Sequence, residues 1–293
     1  MSKPLLNAID PTQFSAVFEP RDPAGHKGSF GSAGIVGGAT GMVGAAVLAA
    51  RTALKSGCGR VYVGLAQESP SFSLDIGQPE LMWRSLPSLV KLSGQLTAWG
   101  VGCGLGNSTQ SLQYLKAVFA QRGGKPLVVD ADALNALARG DVSPSWGQGS
   151  VVLTPHPAEA ARLMKTDTAA IEADRIGTAQ SLARQFNAWI VLKGQHSIVC
   201  NPQGQWQTNP TGNVGLASAG SGDVLTGLVT SLLAQGFEAD LAVPAAVWLH
   251  GAAADQLLAQ LGGPIGMTAS ELIDPIRRLR NTVLKEVVAT ASS

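Results

Sequence analysis

Short apolar segments alternate with longer helical patterns along most of the chain. The apolar segments predict strands at residues 34–38, 61–66, 96–101, 126–130, 151–154, 189–193, 196–201 and 205–208. Helices are predicted at residues 42–56, 111–121, 131–137, 173–186, 223–235 and 239–261, after Pro157 and from Thr268. Strands that alternate with helices form right-handed β-α-β units. The chain is therefore predicted to be an α/β protein, a three-layer α/β/α domain with a largely parallel central sheet.

Composition narrows the class of protein. The 293 residues include 21 Lys and Arg against 20 Asp and Glu, and this balance argues against a nucleic-acid-binding protein, which needs a basic face. Only 14% of the residues are charged and 45% are hydrophobic, which argues against disorder. Neither a linker nor an internal repeat divides the chain, so a single domain over residues 1–293 is predicted.

The sequence also bears on membranes and on the cellular compartment. Residues 28–50 carry no charge, but seven glycines interrupt them, so they predict a strand, a turn and a helix of a core rather than a membrane span. Cys58, Cys103 and Cys200 lack the spacing of a disulfide framework, and no signal peptide is visible. We therefore expect reduced thiols, no membrane partner and a cytoplasmic location.

Glycines and polar residues follow five of the predicted strands. They lie at residues 37–38, 102–106, 130 and 132, 154–156, and 193–194. In an open parallel sheet, ligands bind beyond the carboxyl ends of the strands. Turn formation alone does not require so many special positions, and the sequence therefore predicts a binding site at this edge.

The strongest candidate segment is Gly220-Ser221-Gly222-Asp223, which precedes an apolar helix. The backbone N–H groups of Gly220, Ser221 and Gly222 can point at an anion, and the helix dipole favours negative charge there. Asp223 can take a proton from a substrate hydroxyl as that oxygen attacks a phosphoryl group. The alternative is that Asp223 only caps the helix.

Other candidates each have two interpretations. His156 follows a strand between two prolines and is either functional or a helix cap, and His26 with Lys27 either lines the same site or does not. Lys193 either binds phosphate as a point charge or is a solvated residue at a strand end. His196 and His250 are expected to be structural. Gly102-x-Gly104-x-Gly106 is a weak dinucleotide signal, and neither a Walker motif nor zinc-ligand spacing is present.

Together these segments resemble the ADP-dependent NAD(P)H-hydrate dehydratases of the ribokinase-like superfamily. The matching segments occur in the family's order and cover roughly residues 20 to 285: His26-Lys27-Gly28 with Gly31, 35–38, 44–46, 102–106, 129–135, 153–159, 191–194, 209–213 and 220–223. Each segment is weak by itself, but the combination is specific.

The resemblance implies a reaction. NADH or NADPH that is hydrated at C6 of the nicotinamide ring is damaged, and enzymes similar to this one use ADP to phosphorylate that hydroxyl. Phosphate then leaves, the ring double bond is restored and AMP is released. Mg²⁺ would bridge the donor phosphates as the cofactor, and the sequence shows no carboxylate cage for it.

The resemblance also implies roles for single residues. Asp223 would be the base, and Gly220, Ser221 and Gly222 would form an anion hole over the transferring phosphoryl group. The adenine-nucleotide site would comprise Lys193, Gly194, Gln195, His196, Ser197 and Gly222. The hydrate-binding positions would be Ala46 or its neighbour Ala45, Gly104, His156, Asn213 and Asp223.

This chain departs from the family pattern in places. Cys103 stands where the family usually has Pro, and Gln195-His196-Ser197 follows Lys193-Gly194. We expect no epimerase domain here, so a separate epimerase would supply the S epimer, and we expect a homo-oligomer. Two alternatives stay open: a small-alcohol kinase of the same superfamily, such as a hydroxyethylthiazole or hydroxymethylpyrimidine kinase, and a non-catalytic adenine-nucleotide sensor.

Overall fold

A nine-stranded sheet forms the centre of the protein. The computed structural model describes residues 5–68, 74–143 and 146–291, with side chains to residue 282. The strands are β1 Ser32–Gly37, β2 Arg60–Leu65, β3 Met82–Arg84, β4 Ala98–Val101, β5 Leu127–Val129, β6 Val151–Leu153, β7 Trp189–Leu192, β8 Ile198–Cys200 and β9 Trp206–Thr208. Their order is β3-β2-β1-β4-β5-β6-β7-β8-β9, in which β1 to β7 are parallel and the last two pairings are antiparallel. The predicted largely parallel sheet is confirmed.

Helices cover both faces of the sheet. They are α1 Val43–Lys55, α2 Leu86–Lys91, α3 Thr109–Gln121, α4 Ala131–Arg139, α5 Pro157–Met164, α6 Thr168–Ala173, α7 Arg175–Phe186, α8 Ser221–Ala234, α9 Ala239–Leu261 and α10 Ile273–Ala291. Helices α1, α8, α9 and α10 enclose one hydrophobic core with the sheet, and α2 to α7 enclose a second core on the opposite face. The predicted three-layer α/β/α architecture is confirmed.

The segment Pro11–Phe18 is a 3₁₀ helix, and α10 closes over it. Phe14 and Val17 are buried there, and Ile276 of α10 is also buried. The Arg280 guanidinium donates hydrogen bonds to the Val17 carbonyl at 3.3 Å and to Gln235 Oε1 at 2.7 Å. Elements from the two ends of the chain therefore complete the same core.

Some elements differ from those predicted. The strand β3 and the helices α2 and α6 were not predicted, because three to six residues are too few to show a period. The predicted capping box of Thr268 and Glu271 is present, but it opens the 3₁₀ turn Ala269–Leu272, and α10 begins only at Ile273. Among the helices in the described ranges, none combines the length and hydropathy of a membrane span.

The sheet topology places five loops at one edge. β1 pairs with β2 on one side and with β4 on the other, so the chain order reverses beside β1, which is where open α/β sheets bind ligands. The loops after β1 and β4 touch there: the Gly38 N–H donates to the Cys103 carbonyl at 2.9 Å. A Cβ at Gly37 would collide with that carbonyl, so only glycine permits this approach.

Candidate active site

A buried carboxylate ties three elements together at the carboxyl edge of the sheet. Asp130 follows β5 and is only 1% exposed. Its Oδ1 accepts hydrogen bonds from Thr154 Oγ1 and Lys193 Nζ, both at 2.8 Å, and its Oδ2 accepts one from Thr226 Oγ1 at 2.9 Å. These donors come from the ends of β6 and β7 and from α8. Asp130 therefore holds the start of α8 against the sheet.

Lys193 is the cation of this network. Its Nζ lies 2.8 Å from Asp130 and 3.8 Å from Glu159. Burial lowers the pKa of Lys193, but the carboxylates of Asp130 and Glu159 outweigh burial, so the net effect is a raised pKa and a charged ammonium. A Cβ built on Gly222 would lie 3.2 Å from Nζ, so the cation sits directly beside the start of α8.

The turn that precedes α8 presents free backbone donors. Gly220 occupies the cap position with a φ of +91°, and no side chain caps the helix. The Ser221 N–H donates to the Ser218 carbonyl at 3.3 Å, whereas the N–H groups of Gly222 and Asp223 donate to nothing within the described ranges. Free N–H groups at a helix start beside a lysine form a site for an anion.

Asp223 is the third residue of α8 and is half-buried. The alternative that it only caps the helix is wrong, because Gly220 holds the cap position and Asp223 makes no capping hydrogen bond. Burial raises the pKa of Asp223 to about 6, and repulsion from the Asp130 carboxylate adds to the effect. At neutral pH Asp223 is therefore ionised and still basic enough to accept a proton.

One cavity lies at the start of α8, and a second lies between the loop after β4 and the helices α4 and α5. The first encloses about 470 Å³ and contains all five residues of the predicted nucleotide segment, Lys193 to Ser197, with Gly222 and Asn213. The second is an open cleft of about 710 Å³ lined by Met42, Gly106, Asn107, Asp132, Asn135, Ala138, Arg139 and Arg162. Asp223 is the next residue after Gly222, which lines the first cavity. The negative charge of Asp132, which lines the second cavity, contributes to the raised pKa of Asp223.

His156 is the N-cap of α5. Its Nδ1 accepts hydrogen bonds from the N–H groups of Ala158 at 3.1 Å and Glu159 at 3.4 Å, so the cap interpretation is confirmed. Burial lowers the pKa of the imidazole, and the charges of Lys193 and Arg162 lower it further, so the ring is neutral at pH 7. Capping uses Nδ1, which leaves Nε2 as the nitrogen that carries the proton.

The other predicted hydrate-binding positions differ in whether a ligand can reach them. Ala45 lies against Gly104, because a Cβ built on that glycine would be 3.1 Å from the Cβ of Ala45. The side chain of Ala46 is fully buried in the core and is not accessible to a ligand. Asn213 lies in the first cavity and donates a hydrogen bond to Asp255 Oδ1 at 3.0 Å.

His26 with Lys27 does not line this site, and that alternative is wrong. The backbone of Lys27 lies against Gly59, which immediately precedes β2, so the pair sits at the amino edge of the sheet. A segment that leads into a strand lies at the opposite edge from the loops that follow strands. The direction of the chain through β1 could have excluded His26 and Lys27 from the site.

A magnesium cage is not formed by the acidic residues of the site. Ligand atoms of Cys103, Asp130 and Asp223 lie within 4.8 Å of one another. However, the two oxygens of Asp130 already accept three hydrogen bonds, and thiol sulfur is a poor ligand for Mg²⁺. These residues do not fit a bound Mg²⁺.

Comparison with known proteins identifies the family. The sequence profile of the NAD(P)H-hydrate dehydratases matches residues 33–278. The chain belongs to the NAD(P)H-hydrate dehydratase family. The ADP-dependent (S)-NAD(P)H-hydrate dehydratase of Neisseria meningitidis is a relative that is 43% identical to this chain. The alignment spans 277 residues and covers 94% of this chain and 93% of that protein. The chain also spans about half the length of the bifunctional NAD(P)H-hydrate repair enzymes that it matches, 52% for that of Moorella thermoacetica.

Solved structures share the fold of this dehydratase family member. The ADP/ATP-dependent NAD(P)H-hydrate dehydratase of Bacillus subtilis, co-crystallised with ATP/Mg²⁺, superimposes with a TM-score of 0.80 at 29% identity, covering 93% of this chain and 96% of that one. A ribokinase-like superfamily protein of Enterococcus faecalis has a TM-score of 0.81 at 24% identity, covering 96% and 95% of the two chains. The predicted ribokinase-like fold is confirmed.

Sequence reasoning missed two contributors to this dehydratase site. Thr226 lies one helical turn after Gly222, and that spacing could have predicted that it points to the same edge of α8. His250 of α9, expected to be structural, is buried in the wall of the first cavity and bonds the Ser221 carbonyl through Nε2 at 3.0 Å. Burial lowers the pKa of His250 to about 4, so this contact to the turn is made by a neutral ring.

Proposed function

We propose that this protein is an ADP-dependent (S)-NAD(P)H-hydrate dehydratase, a lyase that restores NADH or NADPH from the hydrated coenzyme. The observation that carries the proposal is Asp223, a carboxylate of raised pKa that directly follows an anion-binding turn in the wall of a nucleotide-sized cavity. Membership of the dehydratase family supports the same reaction.

ADP is proposed to occupy the first cavity. Its adenosine part would lie along residues 193–197, and its phosphates would face the Gly220–Gly222 turn and the ammonium of Lys193. Mg²⁺ would arrive with the donor phosphates, held by them and by water, and would neutralise their charge. The chain itself supplies an anion-binding turn and one cation, which together orient the terminal phosphoryl group.

The hydrated dinucleotide is proposed to enter through the second cleft. Its hydrated ring would pass Ala45 and Gly104 to reach Asp223. His156, whose Nδ1 caps α5 and whose Nε2 lies 3.3 Å from Glu159 Oε1, stays a predicted contact of the hydrate. The cleft carries the guanidinium groups of Arg139 and Arg162, whose positive charge suits the phosphates of a dinucleotide.

The chemistry follows from the placement of Asp223. The carboxylate accepts the proton of the C6 hydroxyl as that oxygen attacks the β-phosphorus of ADP, and the bond to the bridging oxygen breaks, so AMP departs. The ring nitrogen's electron pair then expels the new phosphate from C6, and loss of a proton from C5 restores the double bond. Phosphate is a far better leaving group than hydroxide, and this difference is what ADP supplies.

A direct assay tests the proposal. Purified protein is incubated with NADH hydrate and ADP, and the absorbance of reduced nicotinamide should return. Asp223→Asn should lose turnover by orders of magnitude while still binding ADP in calorimetry, and Asp167→Asn, which alters a remote helix cap in the same chemical way, should retain activity. Phosphorylation of a thiazole or pyrimidine alcohol without recovery of absorbance would favour the kinase, and unchanged behaviour of Asp223→Asn would favour the sensor.

Four accompanying expectations stay predictions. A separate epimerase would supply the S epimer from the R epimer, which the proposed reaction does not use. A homo-oligomer is expected, and a light-scattering mass equal to one chain would remove that expectation. Action in the cytoplasm and a single domain over residues 1–293 are likewise predictions.

A further inference from the structure

Cys103 lies beside the proposed base, and the mechanism above gives it no role. Its Sγ, one carboxylate oxygen of Asp130 and one of Asp223 lie within 4.8 Å of one another, and the cysteine is 1% exposed. The position of Cys103 is fixed by its backbone, because its carbonyl accepts the Gly38 N–H at 2.9 Å and abuts Gly37. The backbone of the loop therefore holds the thiol beside Asp223.

Of the two carboxylates beside the thiol, Asp223 is the one open to a further hydrogen bond. Burial raises the pKa of Cys103 well above its ordinary value, and the nearby charges of Asp223 and Asp130 raise it further, so the thiol keeps its proton. Asp130 already accepts hydrogen bonds from Lys193, Thr154 and Thr226, whereas the carboxylate of Asp223 receives none of these donors. The thiol lies beside the Asp223 carboxylate and lowers the pKa of that carboxyl.

We propose that Cys103 is a positioning residue for the base, whose S–H group donates a hydrogen bond to one oxygen of Asp223 and leaves the other oxygen facing the substrate hydroxyl. This inference rests on the proposed role of Asp223. The bond also favours the ionised carboxylate, against the opposing influence of burial and of Asp130 and Asp132. The ammonium of Lys193 lowers the pKa of Asp223, as the thiol does.

The first test is the pH dependence of kcat/KM for hydrate in three variants. Removal of the donor in Cys103→Ala should move the acid limb of the profile to higher pH by about 0.5 to 1 unit, since a thiol is a weak donor to a charged group. Cys103→Ser keeps a donor and should stay near the parent. Cys200→Ala, which removes a buried thiol remote from the site, should be unchanged, as should the KM for ADP in all three. Coincident profiles of Cys103→Ala and the parent overturn the proposal.

The second test needs no turnover. In a Cys58→Ala, Cys200→Ala background the only thiol is Cys103, and its S–H stretching band in infrared spectra should move to higher frequency when Asp223→Asn weakens the acceptor. A carbon-13 titration of the Asp223 carboxyl should likewise show a higher pKa in Cys103→Ala. An unmoved band together with an unmoved titration overturns the role of Cys103. If both move but the parent fails to repair hydrate, the proposed function is wrong and the thiol contact stands.

Discussion

Replacing Asp223 by Asn should stabilise the folded protein while it removes activity. Asp223 ionises in the folded protein with a pKa of about 6 instead of the ordinary 3.8. A carboxyl whose pKa is raised by folding binds its proton more tightly in the native state, so ionisation above that pKa destabilises the fold. The difference of about 2.2 units corresponds to at most about 3 kcal/mol, and since the side chain is only half-buried we expect about 2 kcal/mol at pH 7.5.

The stability that Asp223→Asn gains depends on pH. The stability gained by Asp223→Asn should be near zero below about pH 4, should grow between about pH 4 and pH 6, and should be complete above that range. Urea denaturation of both proteins at pH 3.5 and pH 7.5 measures it, with Asp167→Asn as the control whose stability should change little at either pH. Equal or lower stability of Asp223→Asn at pH 7.5 would refute the electrostatic reasoning.

Three further predictions concern the surroundings of the base. Lys193→Met leaves the buried Asp130 without its cation and should destabilise the fold by about 3 kcal/mol or more in thermal melts; an unchanged Tm would contradict the network. Gly220→Ala should destabilise more than Gly236→Ala, because both glycines have a φ of +91° but only a Cβ at Gly220 would meet another side chain, Leu48 Cδ1 at 2.5 Å; equal unfolding midpoints would contradict this. Arg162→Ala should raise the KM for hydrate about tenfold and leave the KM for ADP unchanged in steady-state kinetics, and the reverse pattern would move the dinucleotide out of the second cleft.

Patterns of the chain identified the main elements because their cores are strongly apolar. Residues 127–129 are three consecutive buried apolar residues followed by Asp130, and such a run predicts a buried strand with a polar residue at its end. The strand Met82–Arg84 is instead short, half-exposed and contains a charge, so no period distinguishes it from a loop. The segment 173–186 was predicted as one helix, but Asp174 has a non-helical conformation and caps α7, which separates it from α6.

The sequence could predict where the site lies, but not which of its residues are joined by hydrogen bonds. Strand ends and glycines indicated the correct edge of the sheet, because that rule depends only on strand direction. Hydrogen bonds between distant residues depend on how the layers pack, as with Thr226 and Asp130, which are 96 positions apart in the chain. The raised pKa of Asp223 also depends on burial, which a glycine-rich turn does not reveal.

The closure of α10 over the 3₁₀ helix Pro11–Phe18 constrains how the protein can be made. A ribosome releases the chain from its amino end, so Phe14 and Val17 emerge hundreds of peptide bonds before Ile276 can cover them. A nascent chain that has not yet released α10 exposes the apolar side chains of α1, α9 and the 3₁₀ helix Pro11–Phe18 that α10 covers. Premature stop codons shortly before that helix should accordingly yield aggregated or degraded product, even though every residue proposed for catalysis is already present.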